Sequence, residues 1–279
     1  MAKKSKSSEK PKTIRISPNA TALTIAGSDP SGGAGLQADL KTFQHLGVYG
    51  MSVVTLLTVQ NTQGVTHVEV MSPKLICDQL DAVLSDIPPR AIKIGALGNA
   101  GVVRAVAERL QRVTCPIVID PVLVSKHGQS LVTDDVIKAY LTHLLPLAFL
   151  VTPNRFEAER LTGLTLNSDD AIANAMHRLE HSGAKHVLIK LGEVNGRSHH
   201  CLSGHEFNDV LETPRLTTDN THGTGCILSA AITANLAQGE TQLKKAVLFG
   251  IHRVFEAIFL NTKLGKGIHP AEIRGMARE

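Results

Sequence analysis

A single α/β domain, its mostly parallel central sheet covered by helices on both faces and finished by an antiparallel edge, is the fold class this sequence predicts. Three observations predict it. Six short segments, 22–26, 52–59, 91–94, 117–120, 149–152 and 187–190, are aliphatic or β-branched almost throughout rather than alternating. That is the pattern of strands buried on both faces. Longer segments of helical period lie between them, and alternating β and α units favour a parallel sheet. Residues 196–218 instead alternate polar and apolar around Gly196, Gly204 and Asn208, which predicts an antiparallel hairpin.

In chain order, strand 22–26 (Ala-Leu-Thr-Ile-Ala) leads to a helix over 34–46, and strand 52–59 (Ser-Val-Val-Thr-Leu-Leu-Thr-Val) to a helix over 73–85. Strand 91–94 (Ala-Ile-Lys-Ile) precedes a helix over 99–112, and strand 117–120 (Ile-Val-Ile-Asp) one over 133–144. Strand 149–152 (Phe-Leu-Val-Thr) feeds helices over 154–162 and 168–182, and strand 187–190 (Val-Leu-Ile-Lys) runs into the hairpin. Helices over 224–238 and 240–261 close the chain. At 279 residues the chain is long enough for one or two domains, but no internal repeat or Pro/Gly linker divides it. The reading is one domain over 21–279.

The chain carries a formal net charge of +4, which invites a nucleic-acid reading. Lys3, Lys4, Lys6, Lys10, Lys12 and Arg15 face only Glu9, so residues 1–20 hold about +5 and the remainder about −1. The body is nearly neutral. Rich in Lys, Ser and Pro and without an apolar core, residues 1–20 read as a disordered basic tail and not a signal peptide. No specific nucleic-acid partner is expected. No apolar run approaches the roughly 20 residues of a membrane-spanning helix. Cys77, Cys115, Cys201 and Cys226 have neither disulfide-framework nor zinc spacing, which fits a reducing cytoplasm.

Ligands of such sheets collect outside the carboxyl ends of the strands, so the polar segments there are the candidates. Gly27-Ser-Asp-Pro-Ser-Gly-Gly-Ala-Gly35 follows the first strand. Its Gly33-x-Gly35-x-x-Ala38 matches a dinucleotide fingerprint, but no acid stands between Asp39 and Glu69 to bind a ribose. Gly27 and Gly32 have P-loop spacing, but Gly33 occupies the lysine position. Both motifs fail, leaving either a close backbone approach to a small ligand or a tight turn beside a solvated Asp39. Thr221-His-Gly-Thr-Gly-Cys226 opens a helix; Gly223, Thr224 and Gly225 expose backbone amides suited to an anion. The same amides would lower the pKa of the Cys226 thiol. Asn154 and Glu157 either share a magnesium–phosphate site or cap a helix. Asp120, at a strand end, is a second metal candidate, and Lys190 can reach a phosphate as a point charge. Gln60 offers both a donor and an acceptor. His199, His200, Cys201 and His205 lack ligand spacing and read as surface on the hairpin.

Ala22-Leu-Thr-Ile-Ala-Gly-Ser-Asp-Pro-Ser-Gly-Gly-Ala-Gly-Leu-Gln-Ala-Asp-Leu-Lys-Thr-Phe43 resembles the start of the bacterial hydroxymethylpyrimidine/phosphomethylpyrimidine kinases, of the ribokinase-like superfamily. The resemblance continues through Gly47-Val-Tyr-Gly-Met51, Gln60-Asn-Thr62, Lys93-Ile-Gly95, Asp120-Pro-Val122, Thr152-Pro-Asn154 and Asn220-Thr-His-Gly-Thr-Gly-Cys226, covering about residues 21–270. It implies a ribokinase-like fold and an ATP- and Mg2+-dependent kinase acting on 4-amino-5-hydroxymethyl-2-methylpyrimidine and its monophosphate in thiamine biosynthesis, as a homodimer. It implies Cys226, beside the Gly223–Gly225 anion turn, either as candidate base or as a thiol that only lines the pocket while the site works by positioning and charge stabilisation. Asn154, Lys190 and Thr224 fall on the nucleotide side, Glu157 and Asp120 on magnesium. Gln60, Asp39, Gly27, Val122 and Ala96 fall around the pyrimidine. Two positions depart from the family pattern: Ala96 stands where a methionine is usual, and Glu193 where a histidine is. The first enlarges the ring pocket and keeps a pyridoxal/pyridoxine kinase as the rival within the class. A non-catalytic pyrimidine-binding module is the rival outside it.

Overall fold

The computed structural model describes residues 20–123, 133–204, 207–260 and 263–275. The basic tail and His205 lie outside the described residues. Strands β1 (Thr21–Ser28), β2 (Tyr49–Asn61), β3 (Gly64–Val70), β4 (Ala91–Ile94), β5 (Ile117–Ile119), β6 (Leu150–Val151), β7 (Val187–Val194), β8 (Arg197–Gly204) and β9 (Phe207–Pro214) form one sheet, in the order β3-β2-β1-β4-β5-β6-β7-β8-β9. Pairing is parallel from β2 through β7 and antiparallel at both ends.

The aliphatic runs are strands because each must cover two faces. Leu23, Ile25, Ile92, Ile94, Ile119 and Ile189 point into one core layer. Ala22, Ala91, Val118, Leu150 and Leu188 point into the other. On the first face lie α2 (Pro73–Asp86), α3 (Ala100–Leu110), α4 (Asp134–Ala139), α5 (Arg155–Thr162) and α6 (Asp169–His181); on the second lie α1 (Gly35–His45), α7 (Thr224–Ala237) and α8 (Leu243–Phe259). The predicted helix over 133–144 is α4 continued by a π turn, Tyr140–Leu144. There Tyr140 and Leu144 are fully buried, and each fully buried side chain of that size contributes about 1.5–3 kcal/mol. Helix α7 is buried on nearly every side, as an all-apolar helix must be, and this fixes its N-terminus against the strand ends.

One element differs from the sequence reading. Residues 60–64, expected as a loop after the second strand, are the tip of a hairpin in which β2 turns back as β3. Leu56, Thr58 and Gln60 on β2 and Val65, Val68 and Val70 on β3 line the main cavity, whereas Leu57 and Val59 point outward. The hairpin is therefore one wall of that cavity. From β1 the chain passes to β2 on one side and later returns to β4 on the other, so the loops after β1 and β4 diverge. That switch point is where a cleft opens.

Candidate active site

A cavity of about 1150 Å³ opens over the strand ends. It exceeds the volume of an ordinary single-ligand pocket and admits a nucleotide together with a small substrate. All the predicted site residues except Asp39 border it.

Its centre is the start of α7. Gly223 takes φ +81° as N-cap and no side chain caps the helix, so the amides of the first turn face the cavity. A Cβ on Gly223 would meet the Gly33 carbonyl oxygen of the glycine loop. On the opposite side, the position of a Cβ on Gly225 lies 3.4 Å from Lys190 Nζ and 3.5 Å from Asp120 Oδ2. The turn thus touches the glycine loop and the charged end of β7 at once. Thr224 turns back on Thr221, donating to its carbonyl from the hydroxyl at 3.0 Å and from the N–H at 3.5 Å. Cys226 is partly exposed there. The expected lowering of its pKa does not occur. Burial pushes the thiol up to about 11, outweighing the favourable field of Lys93 and the Gly35 amide; with Asp39 and Asp120 also close, the sulfur is a neutral thiol at rest.

Lys190 donates to Asp120 Oδ1 at 2.9 Å, and both side chains are largely buried. Although burial opposes ionisation, Lys190 and Lys93 hold the Asp120 carboxyl below its usual range. Asn154 and Glu157 form a reciprocal capping box: Glu157 N–H donates to Asn154 Oδ1 at 2.9 Å, and Asn154 N–H to Glu157 Oε2 at 2.8 Å. The pair caps the helix, and both residues also border the cavity. Burial pushes Glu157 up to about 7 against the pull of Lys190. Among the described residues no group of three or more His, Cys, Asp or Glu could hold a metal by itself. Two carboxylates beside a phosphate site are instead the donor set of Mg2+, which keeps waters and substrate oxygens as its other ligands. The residues present fit that ion.

The pyrimidine side is corrected at Asp39. Its side chain is fully buried on α1, where Thr24 Oγ1 donates to Oδ2 at 2.6 Å and Lys93 Nζ at 2.8 Å. Lys93, equally buried, is held protonated by that carboxylate despite desolvation. Asp39 is neither solvated nor open to a ligand; it anchors Lys93 beneath the cavity floor. Asp39→Ala, which would strand the lysine, is expected to destabilise the fold by about 3–5 kcal/mol, read as a shifted midpoint in chemical denaturation; an unchanged midpoint would refute the anchoring role. Gly27, Ala96, Val122 and Gln60 do border the cavity.

A pair that sequence reasoning did not single out completes this wall. Asp29 and His222, 193 positions apart, meet at 2.8 Å with both side chains buried. The segment 265–270 straps the hairpin tip to the anion turn. Ile268 N–H donates to the Thr62 carbonyl at 2.9 Å and His222 N–H to the His269 carbonyl at 3.0 Å. The surface reading of this cluster fails for Cys201, which is buried in the core, and for His200, which borders the cavity and whose pKa burial lowers to about 4. Glu193, at the same end, is paired with Arg215.

A parallel sheet carrying a glycine loop and an uncapped helix start at its switch point, opposite a lysine–carboxylate cluster, is the arrangement of the ribokinase-like small-molecule kinases. The phosphomethylpyrimidine kinase family model matches residues 29–272, and the chain belongs to that family. It is 46% identical over 223 residues to the hydroxymethylpyrimidine/phosphomethylpyrimidine kinase of Rhizobium meliloti, covering 79% of this chain and 84% of that protein. It is 42% identical over 262 residues to the thiamine biosynthesis bifunctional protein of Geobacter sulfurreducens, covering 91% of this chain but only 52% of that longer protein. Among solved structures, the pyridoxal kinase from Staphylococcus aureus in complex with ADP has a TM-score of 0.83 at 36% identity, covering 91% of this chain and 93% of that one.

Proposed function

We propose that the protein transfers the γ-phosphoryl group of ATP, with Mg2+, to the hydroxymethyl oxygen of 4-amino-5-hydroxymethyl-2-methylpyrimidine. A second transfer to the resulting monophosphate gives the pyrophosphate used in thiamine synthesis. The observation that carries this reading is the uncapped turn of α7, which touches the glycine loop through Gly223 and the Lys190–Asp120 pair through Gly225. A phosphoryl group held there lies between a ring site and a nucleotide site.

Mg2+ supplies neutralisation of the phosphate charge, and Asp120 and Glu157 are the residues that would hold it. Lys190 and the Gly225 and Cys226 amides stabilise the charge that develops on the transferred group. Asn154 and Thr224 flank the nucleotide. Gln60 reads the ring edge, with Gly27, Val122 and Ala96 against its faces. Once the Cys226 thiol has lost its own proton to solvent, the thiolate Sγ accepts the proton of the hydroxymethyl group as the oxygen–phosphorus bond forms and the bond to ADP breaks. The second transfer has a phosphate oxygen as acceptor and needs no base. A cytoplasmic homodimer accompanies this reading, supported by the scattered free cysteines and by Leu57 and Val59, both exposed on β2. Among the described residues no helix is long and apolar enough to cross a membrane.

The small Ala96 in the wall favours a second reading, a pyridoxal kinase with the same chemistry. Phosphorus NMR of protein incubated with ATP, Mg2+ and the hydroxymethylpyrimidine tests the main one. A monophosphate ester followed by a diphosphate is expected; ADP and free phosphate alone would exclude it, and binding without turnover would favour the binding module.

A further inference from the structure

The hydrogen-bond network around Gln60 admits only one orientation of its amide. The atom facing His222 is 3.3 Å from its Nε2, and that same Nε2 is 2.8 Å from Asp29 Oδ2. Asp29 is ionised: burial opposes it, but the contacts of His222 and Ser31 hold its carboxyl below the usual range. An ionised carboxylate only accepts, so Nε2 carries a hydrogen. An amide nitrogen facing it would set donor against donor. On the other side, Thr58 Oγ1 lies 2.9 Å from the Ser28 carbonyl and 3.2 Å from the second Gln60 terminal atom. The carbonyl takes the one hydroxyl hydrogen, so Thr58 has only a lone pair left for Gln60. An amide oxygen there would set acceptor against acceptor. With oxygen toward His222, sharing the Nε2 hydrogen that Asp29 also accepts, and nitrogen toward Thr58, neither conflict arises.

The anchor of this arrangement is rigid. Asp29 accepts four hydrogen bonds: from Ser31 N–H at 2.9 Å and Ser31 Oγ at 2.7 Å on Oδ1, and from Ala34 N–H at 2.9 Å and His222 on Oδ2. His222 is fixed in turn through its own backbone, which donates to His269 and accepts from Ala271, each at 3.0 Å. We infer that Asp29 and His222 are positioning residues that set the polarity of the Gln60 amide, and through it the donor–acceptor pattern of the ring that the site accepts. One N–H and one lone pair of Gln60 remain for the ligand. Together they complement a ring nitrogen beside an exocyclic amino group and oppose the N–H and carbonyl of the corresponding 4-oxo ring. The inference rests on the pyrimidine-kinase reading and deepens it.

The test compares kcat/KM for the 4-amino substrate and its 4-oxo analogue in the wild type, in His222→Leu and in Asp29→Asn. The wild type is expected to prefer the amino ring by about 10²-fold or more, because the wrong pattern leaves buried polar groups unpaired. Each variant removes the donor that holds the amide oxygen, so the preference should fall at least about tenfold while KM for ATP holds within about twofold. A purely structural role would lower both substrates equally and leave the ratio unchanged. An unchanged ratio in Asp29→Asn, which conserves shape but no longer forces a hydrogen onto His222 Nε2, overturns the inference even where His222→Leu fails to fold. Wild-type turnover of the amino ring with less than about threefold preference overturns it too. Turnover of neither ring by the wild type would instead refute the kinase reading.

Discussion

Gly223→Ala is expected to lower kcat by about 10³-fold or more. Gly223 holds φ +81°, a conformation costing an alanine about 1–3 kcal/mol, and its new Cβ would meet the Gly33 carbonyl oxygen. The contact is backbone on both sides, so no side chain can swing away. Either the turn leaves the glycine loop or its peptide rotates, and both redirect the amides aimed at the transferred phosphoryl group. Losing one preorganised donor of this kind costs about 10²–10³ in rate, and here more than one moves. Gly163 provides the control. It has φ +68° at the end of α5, and a Cβ there meets nothing within 4 Å. Gly163→Ala should cost about 1 kcal/mol of stability and leave kcat intact. Steady-state kinetics beside denaturation curves separate the two effects; a Gly223→Ala protein with wild-type kcat would remove the anion role from this turn.

Cys226→Ala is expected to lower kcat by at least about 10²-fold, the scale of a lost general base, and to change its pH dependence. With the thiol pushed up to about 11, only the thiolate can accept a proton. Below that pKa its fraction grows tenfold with each pH unit. The rate of the first phosphorylation should therefore rise with pH across the neutral and mildly alkaline range, by up to about tenfold per unit. The second phosphorylation needs no base and should lack this slope. Lys93 (on β4), Asp39 (on α1), Asp120 (after β5) and Lys190 (on β7) set the field at the sulfur. A Cys226→Ala variant that keeps both rate and slope would show the thiol to be wall only.

What was legible in the sequence follows the range of the forces involved. Strands 91–94 and 117–120 were readable because burial on both faces imposes unbroken aliphatic runs, and β4 has the expected limits, Ala91–Ile94. The start of α7 was readable because its glycines are local backbone requirements. Strand β3 was not, because Val65-Thr-His-Val-Glu-Val70 pairs only with β2 and carries an exposed face, so it lacks a buried strand's signature. Asp39 was misplaced because its partner Lys93 is 54 positions away, and nothing near a lone aspartate tells burial from solvation. The pairing of Asp29 with His222 was missed for the same reason at 193 positions. Their one local signal was an acid inside a glycine loop and a histidine inside an anion turn, two motifs that had to meet.

The central claim is that this cavity phosphorylates a hydroxymethylpyrimidine. The most direct test is the ratio of kcat/KM for 4-amino-5-hydroxymethyl-2-methylpyrimidine to that for pyridoxal, with ATP and Mg2+ saturating. A ratio well above one is predicted, since Gln60 offers one donor and one acceptor to the aminopyrimidine edge. A ratio below one would contradict the account and make the space beside Ala96 a pyridoxal site.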